Sequence, residues 1–193
     1  SDHDSETSPT TQGQFDLAEI LVDEMKAMGF QNVRMDRKCY VYGELPPSPG
    51  YEDKVRLGFI AHMDTSPDFS GEKVKPVVIE NYHGGDVELG SSGRVLKIEQ
   101  FPHLPSLSGR TLIATDGTTL LGADNKAGIA EILTACMRII ESSIPHGRIA
   151  VAFTPDEEVG KGADGFDPAG FGCDFAYTID SGPEGEIEYE NFN

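Results

Sequence analysis

Basic residues are scarce in this sequence. Fifteen Lys and Arg stand against 33 Asp and Glu, for a formal net charge of −18. Such a charge repels phosphate backbones and anionic bilayers, so nucleic acid and membrane surfaces are poor partners and cations are better ones. No apolar run approaches the ~18 residues that a membrane span needs. The opening twelve residues, polar and acidic, carry neither the basic stretch nor the apolar core of a secretory leader. Cysteine is nearly absent as well. Cys39, Cys136 and Cys173 are odd in number, far apart and form no C-x-x-C pair. That argues against a disulfide framework or a thiolate zinc site, and for a reducing compartment, the cytoplasm. What is present, 38% hydrophobic and 25% charged residues in 193, fits a soluble globular domain or a domain with a piece missing.

The hydrophobic pattern predicts an α/β fold. Leu17, Leu21, Met25 and Met28 recur at helical spacing before Gly29, which gives an amphipathic helix over roughly 15–28. Ile129, Ile132, Leu133, Cys136, Met137 and Ile140 give a second over about 125–142. Strand-like runs lie at 39–43, 55–61, 76–80, 95–98, 111–115, 148–154 and 175–179, the run at 148–154 mostly apolar and expected to be buried. The first twelve residues read as loop. The stretch 65–108 is irregular, and a long excursion of that kind is usually functional or covers something. Strands alternating with helices imply a mixed, mostly parallel sheet flanked by helices.

Four of these strands hand over to an acid or a histidine. His62 and Asp64 follow 55–61, Asp116 and then Asp124 follow 111–115, Glu157 and Glu158 follow 148–154, and Asp180 follows 175–179. Ligand sites of open α/β sheets collect beyond the carboxyl ends of strands. Were the four strands parallel neighbours, one nitrogen and several oxygens would converge, a donor set that suits zinc, manganese or cobalt. Each residue alone has a simpler reading: Asp124 as a helix cap, Glu157-Glu158 as a solvated pair, Asp180 as a turn residue. Together they would need four coincidences. The glycine spacing from Gly117 to Gly122 is that of a phosphate loop, but Ala123-Asp124 replaces the Lys-Ser/Thr and would repel phosphate. His3, His83, His103 and His146 lie in loops without paired acids and are expected to be solvated.

Several stretches resemble peptidase T, the tripeptide aminopeptidase branch of the co-catalytic zinc metallopeptidases related to glutamate carboxypeptidase. They are His62 to Thr65, Glu80 to Asp86, Gly122 to Gly128, Thr154 to Gly160, Tyr177 to Asp180 and Glu188 to Asn193. The resemblance implies a zinc exopeptidase-like catalytic domain with two zinc ions per full-length subunit, replaceable in vitro by cobalt or manganese. His62 and Asp180 would ligate the first ion, Glu158 the second, and Asp124 would bridge them. Asp64 would orient the His62 ring, and Glu157 would be the general base. The peptide between Asp124 and Asn125 would be cis. Asn125 and Ser181 depart from the residues usual in the family, an aspartate and a glycine. The resemblance further implies that residues 1–193 are an N-terminal slice of the catalytic domain, incomplete at both ends and inactive by itself. The lid, through which the whole protein would form a homodimer, and a last zinc-binding histidine would be missing. A dipeptidase, an N-acyl amino acid deacylase and a non-catalytic metal-binding fragment are the alternatives.

Overall fold

The computed structural model describes residues 1–180, 182 and 185–188. Its elements are α1 (Gln12–Ala27), β1 (Gln31–Met35), β2 (Val41–Leu45), β3 (Leu57–His62), β4 (Pro76–Ile79), β5 (Val87–Leu89), β6 (Arg94–Leu96), β7 (Leu112–Thr115), α2 (Ala123–Glu141), β8 (Ile149–Thr154), α3 (Pro168–Phe171) and β9 (Phe175–Thr178). Two compact units divide them. One comprises Ser1–Thr65 with the chain from Ala123 onward, and the other is Ser66–Gly122.

The first unit is built on a sheet of order β1-β2-β8-β3-β9. β2 runs antiparallel to both β1 and β8, while β3 is parallel to β8 and to β9. Four strands therefore point one way and β2 the other, the mixed, mostly parallel sheet expected. β8 is buried at all six positions and lies in the centre. Its alternation divides the core: Ile149, Val151 and Phe153 face one cluster, Ala150 and Ala152 the other. On the first face Leu21 and Met25 of α1 and Ile129, Ile132, Leu133 and Cys136 of α2 cover the strands. On the second face Tyr40, Tyr42 and Phe171 do so, with Phe166 against them. Burial of these two apolar stripes, at about 25 cal/mol per Å², holds the helices on the sheet far more than helix propensity does.

The second unit differs from expectation. The run at 111–115 is a strand, β7, but it does not join the large sheet; it pairs antiparallel with β4. β5 and β6 form a separate hairpin. Tyr82, Val87 and Leu104 make this unit's own small core. Asp116 is engaged there by Thr118 and by Lys75 at 3.3 Å, and is not part of the site expected at the sheet edge. No helix is long and apolar enough to cross a membrane among the described residues.

The cysteines are free thiols. Burial, with the charges of Asp36 and Asp156 beyond it, pushes Cys39 up to about 12, and burial pushes Cys136 up to about 11. Cys173 is only partly buried. Thiolate is the reactive form, so Cys173 should be alkylated first in the native protein, and Cys39 and Cys136 only on unfolding. Mass spectrometry after timed alkylation checks this; early labelling of Cys136 would contradict the packing of α2.

Candidate metal centre

Three parallel strands, β8, β3 and β9, end at the same edge, and the residues just beyond them form the site. β3 delivers His62 as its last residue, with Met63 N–H donating to Thr154 O at 2.8 Å to extend the pairing with β8. β9 is prolonged by Ile179 N–H to Ile60 O, 2.8 Å, which fixes the next residue, Asp180. A further carboxylate comes not from a fourth strand of this sheet, since β7 pairs with β4, but from the helix start where Asp124 was also expected. Asp124 comes from the start of α2, where Asp124 and Asn125 have non-helical backbone angles and the peptide between them is cis.

His62, Asp124 and Asp180 each bring a donor atom to within 4.8 Å of the other two. His62 Nε2 lies 2.9 Å from Asp124 Oδ1 and 3.9 Å from Asp180 Oδ2. Glu157 reaches the same nitrogen, with Oε2 at 3.8 Å. The imidazole is 2% exposed, whereas the Asp124 side chain is 63% exposed, so the site has a fixed floor and an open mouth. One imidazole nitrogen and two carboxylates fit a divalent ion of the zinc type with a position left for solvent. Lys126, the cation nearest in sequence, points its ammonium at the Met63 carbonyl, 3.2 Å away.

The ring is oriented from below. His62 Nδ1 lies 3.1 Å from the Asp64 carbonyl and 3.3 Å from its carboxylate, so a proton there is held and Nε2 faces the acids. Asp64 is fully buried, and its carboxylate also accepts the N–H groups of Glu157, 3.0 Å, and Glu158, 3.1 Å. One carboxylate thus ties the histidine to the turn bearing both glutamates. Burial alone would raise the Asp64 pKa, but His62 and these two N–H groups hold it below the usual range.

Burial also opposes charge on His62, yet Asp64, Asp180 and Asp124 outweigh it and push the imidazole up to about 9. Without metal the ring is protonated at neutral pH. A cation taking Nε2 must displace that proton, so uptake releases protons and weakens as the pH falls. Glu158 is raised, first by burial and then by the Asp124 charge. It lies outside the three-residue cluster.

Asn125 takes part without ligating: it donates through Nδ2 to the Ile179 carbonyl at 2.7 Å and accepts the Gly128 N–H at 3.2 Å. The expectations from the sequence did not assign this brace, nor the roles of Asp156, Thr10 and Gln14 described below. Asp156, closing an apolar run just before two further acids, carried the signal for its own part. Ser181, one of the two departures from the family, and residues 189–193, which contribute to the resemblance, lie outside the described residues.

The fold is similar to that of solved aminopeptidases. Aminopeptidase PepT from Bacillus cereus superposes with a TM-score of 0.64 at 27% identity, over 92% of this chain and 40% of that one. A tripeptidase from Staphylococcus aureus gives 0.63 at 28%, over 93% and 40%. In sequence the match is to peptidase T over the whole chain. Peptidase T of Alkaliphilus oremlandii is 56% identical over 196 residues, which are 100% of this chain and 48% of that protein. The chain spans about half the length of the curated relatives it matches. No family model matches it.

Proposed function

We propose that the whole protein is a cytoplasmic, zinc-dependent aminopeptidase that releases the N-terminal residue of tripeptides. Residues 1–193 would be the N-terminal segment of its catalytic domain. The observation that carries this reading is the convergence of His62, Asp124 and Asp180 within 4.8 Å, with the Glu157 carboxylate at its border. The relatives' names, peptidase T and tripeptidase, supply the substrate class. Two zinc ions would be held, one by His62 and Asp180, one by Glu158 and a residue outside this chain, with Asp124 shared. Cobalt or manganese would substitute in vitro. A homodimer would form through the portion outside this chain.

Bound divalent ions would acidify a water toward pKa 7 and stabilise charge on the scissile carbonyl oxygen. The chain's own residues supply the rest. Glu157 takes the proton from the attacking water and returns it to the leaving amine, a task for a carboxylate near the ions that does not ligate them. Asp64 keeps Nδ1 of His62 protonated and Nε2 available. The open mouth at Asp124 admits the peptide.

The test uses the full-length protein, with metal analysis and assays on a tripeptide, a dipeptide and an acetyl amino acid. Metal-dependent release of the N-terminal residue, fastest from the tripeptide, is expected. A chelator should abolish turnover and lower the melting temperature, because metal binds the folded form. Faster cleavage of the dipeptide or the acetyl amino acid would overturn the substrate class, and a stable metal-free protein without hydrolysis would overturn the enzyme.

A further inference from the structure

Asp156, next in sequence to Glu157, is completely buried, and its carboxylate bonds to Ser8, Thr10 and Gln14 rather than to the cluster of ligands. Its carboxylate accepts four donors, from the segment that leads into α1 and from the first turn of that helix. Thr10 N–H reaches Oδ1 at 2.9 Å and Oδ2 at 3.1 Å, and Thr10 Oγ1 reaches Oδ1 at 2.6 Å. Gln14 Nε2 reaches Oδ1 at 2.8 Å, and Ser8 Oγ reaches Oδ2 at 3.0 Å. In return the Asp156 N–H donates to Gln14 Oε1, 2.9 Å. Thr10 and Gln14 are themselves buried.

None of these four donors is charged. A buried carboxylate without a cation is a costly way to make a fold stable, since desolvation is recovered only through complete hydrogen bonding. Burial alone would raise its pKa, and the bonds from Thr10, Gln14 and Ser8 bring it below the usual carboxylate range. The location explains the arrangement. Asp156 has a left-handed backbone, φ 55° and ψ 29°, and immediately precedes the short 3-10 turn Glu157–Val159. The Glu157 and Glu158 N–H groups on that turn are those bound by Asp64. The turn is therefore gripped from two sides, by Asp64 below the histidine and by Ser8–Gln14 through Asp156.

We propose that Asp156 is a positioning residue: with Thr10 and Gln14 it forms a buried clamp by which the start of α1 and the segment before it set the placement of Glu157 and Glu158. This rests on the peptidase reading, in which Glu157 moves the proton and Glu158 binds metal. Positioning errors near 1 Å can lower turnover about 100-fold.

The experiment compares Asp156→Asn, Thr10→Val and Thr10→Ser in the full-length protein, by steady-state kinetics and by amide hydrogen exchange of the metal-free form. Asp156→Asn and Thr10→Val should lower kcat by about 10–100-fold while KM stays within about 2-fold. In the metal-free form the Glu157 and Glu158 amides should exchange at least about tenfold faster, with β8 amides unchanged. Thr10→Ser, which keeps the hydroxyl, should restore both readouts. Should Asp156→Asn not fold, Thr10→Val decides alone, since it removes one hydroxyl at nearly constant volume. Unchanged exchange at 157 and 158, or a kcat that falls only with the folded fraction, would overturn the clamp. A wild-type protein that cleaves no peptide would overturn the peptidase reading, and the exchange data would still decide whether Asp156 holds the turn.

Discussion

Glu157→Gln in the full-length protein should lose about 10²–10⁴-fold in turnover while retaining its metal, because only the proton acceptor is removed. Its neighbour should behave differently. Glu158→Gln should lose metal first, and turnover as a consequence, because a neutral amide is a weak ligand for zinc. Their surroundings support that division. The Glu157 carboxylate stands 3.8 Å from His62 Nε2 and is half exposed, where a water between it and the ligands would meet it. The Glu158 carboxyl is raised by burial and by the Asp124 charge, which a cation would relieve. Metal analysis alongside kinetics on both variants checks this. Equal metal content in the two would show that the division of roles is mistaken.

Gly128→Ala should damage the site from within the helix. Alanine is normally the better helix residue by about 1 kcal/mol. Here its methyl would fall on the Ile179 carbonyl oxygen and on Asn125 Oδ1, closer than atoms can approach. Overpacking against a fixed backbone costs about 1–3 kcal/mol, so the net effect is destabilising. The larger effect is on metal. Asn125 follows Asp124 and Ile179 precedes Asp180, so the added methyl wedges apart the two carboxylates that meet His62. Loss of about 10–100-fold in metal affinity is expected, as for other disruptions of the groups that support ligands. Isothermal titration with zinc and a melting curve check both parts. An unchanged affinity would mean that the brace between α2 and the end of β9 does not set the site.

The parts of the fold that were legible in the sequence are those where burial writes a period. The stripe from Ile129 to Ile140 marked α2 to within two residues, and the apolar run to Thr154 marked the central strand β8. β1, Gln31–Met35, carries Gln, Asn and Arg on an edge strand and has no fully buried position, so no alternation announced it. The partner of β7 could not be read locally either, because pairing with β4 depends on residues far away in the chain. At the site the strand ends pointed to His62, Glu157, Glu158 and Asp180. The resemblance, not the spacing, supplied their separate roles. Asp124 was legible as a helix start, which is what brings it to His62, but the strand before it was wrongly expected to neighbour the others in the sheet. Asp156 remained unassigned because its partners lie 142 and 146 residues earlier.

The unit Ser66–Gly122 enters and leaves the chain between His62 and Asp124, whose side chains meet at 2.9 Å. The chain ends that flank it are thus pinned together by the site itself, and the excursion is a closed loop in the sense of polymer statistics. Closure entropy grows only with the logarithm of loop length, so doubling such an excursion costs about 0.6 kcal/mol. A binding event that strengthens the His62–Asp124 junction offsets that cost at once. Insertions and deletions should therefore accumulate between these two residues over evolutionary time, while the spacing from His62 to Asp64 and from Asp124 to Gly128 stays fixed.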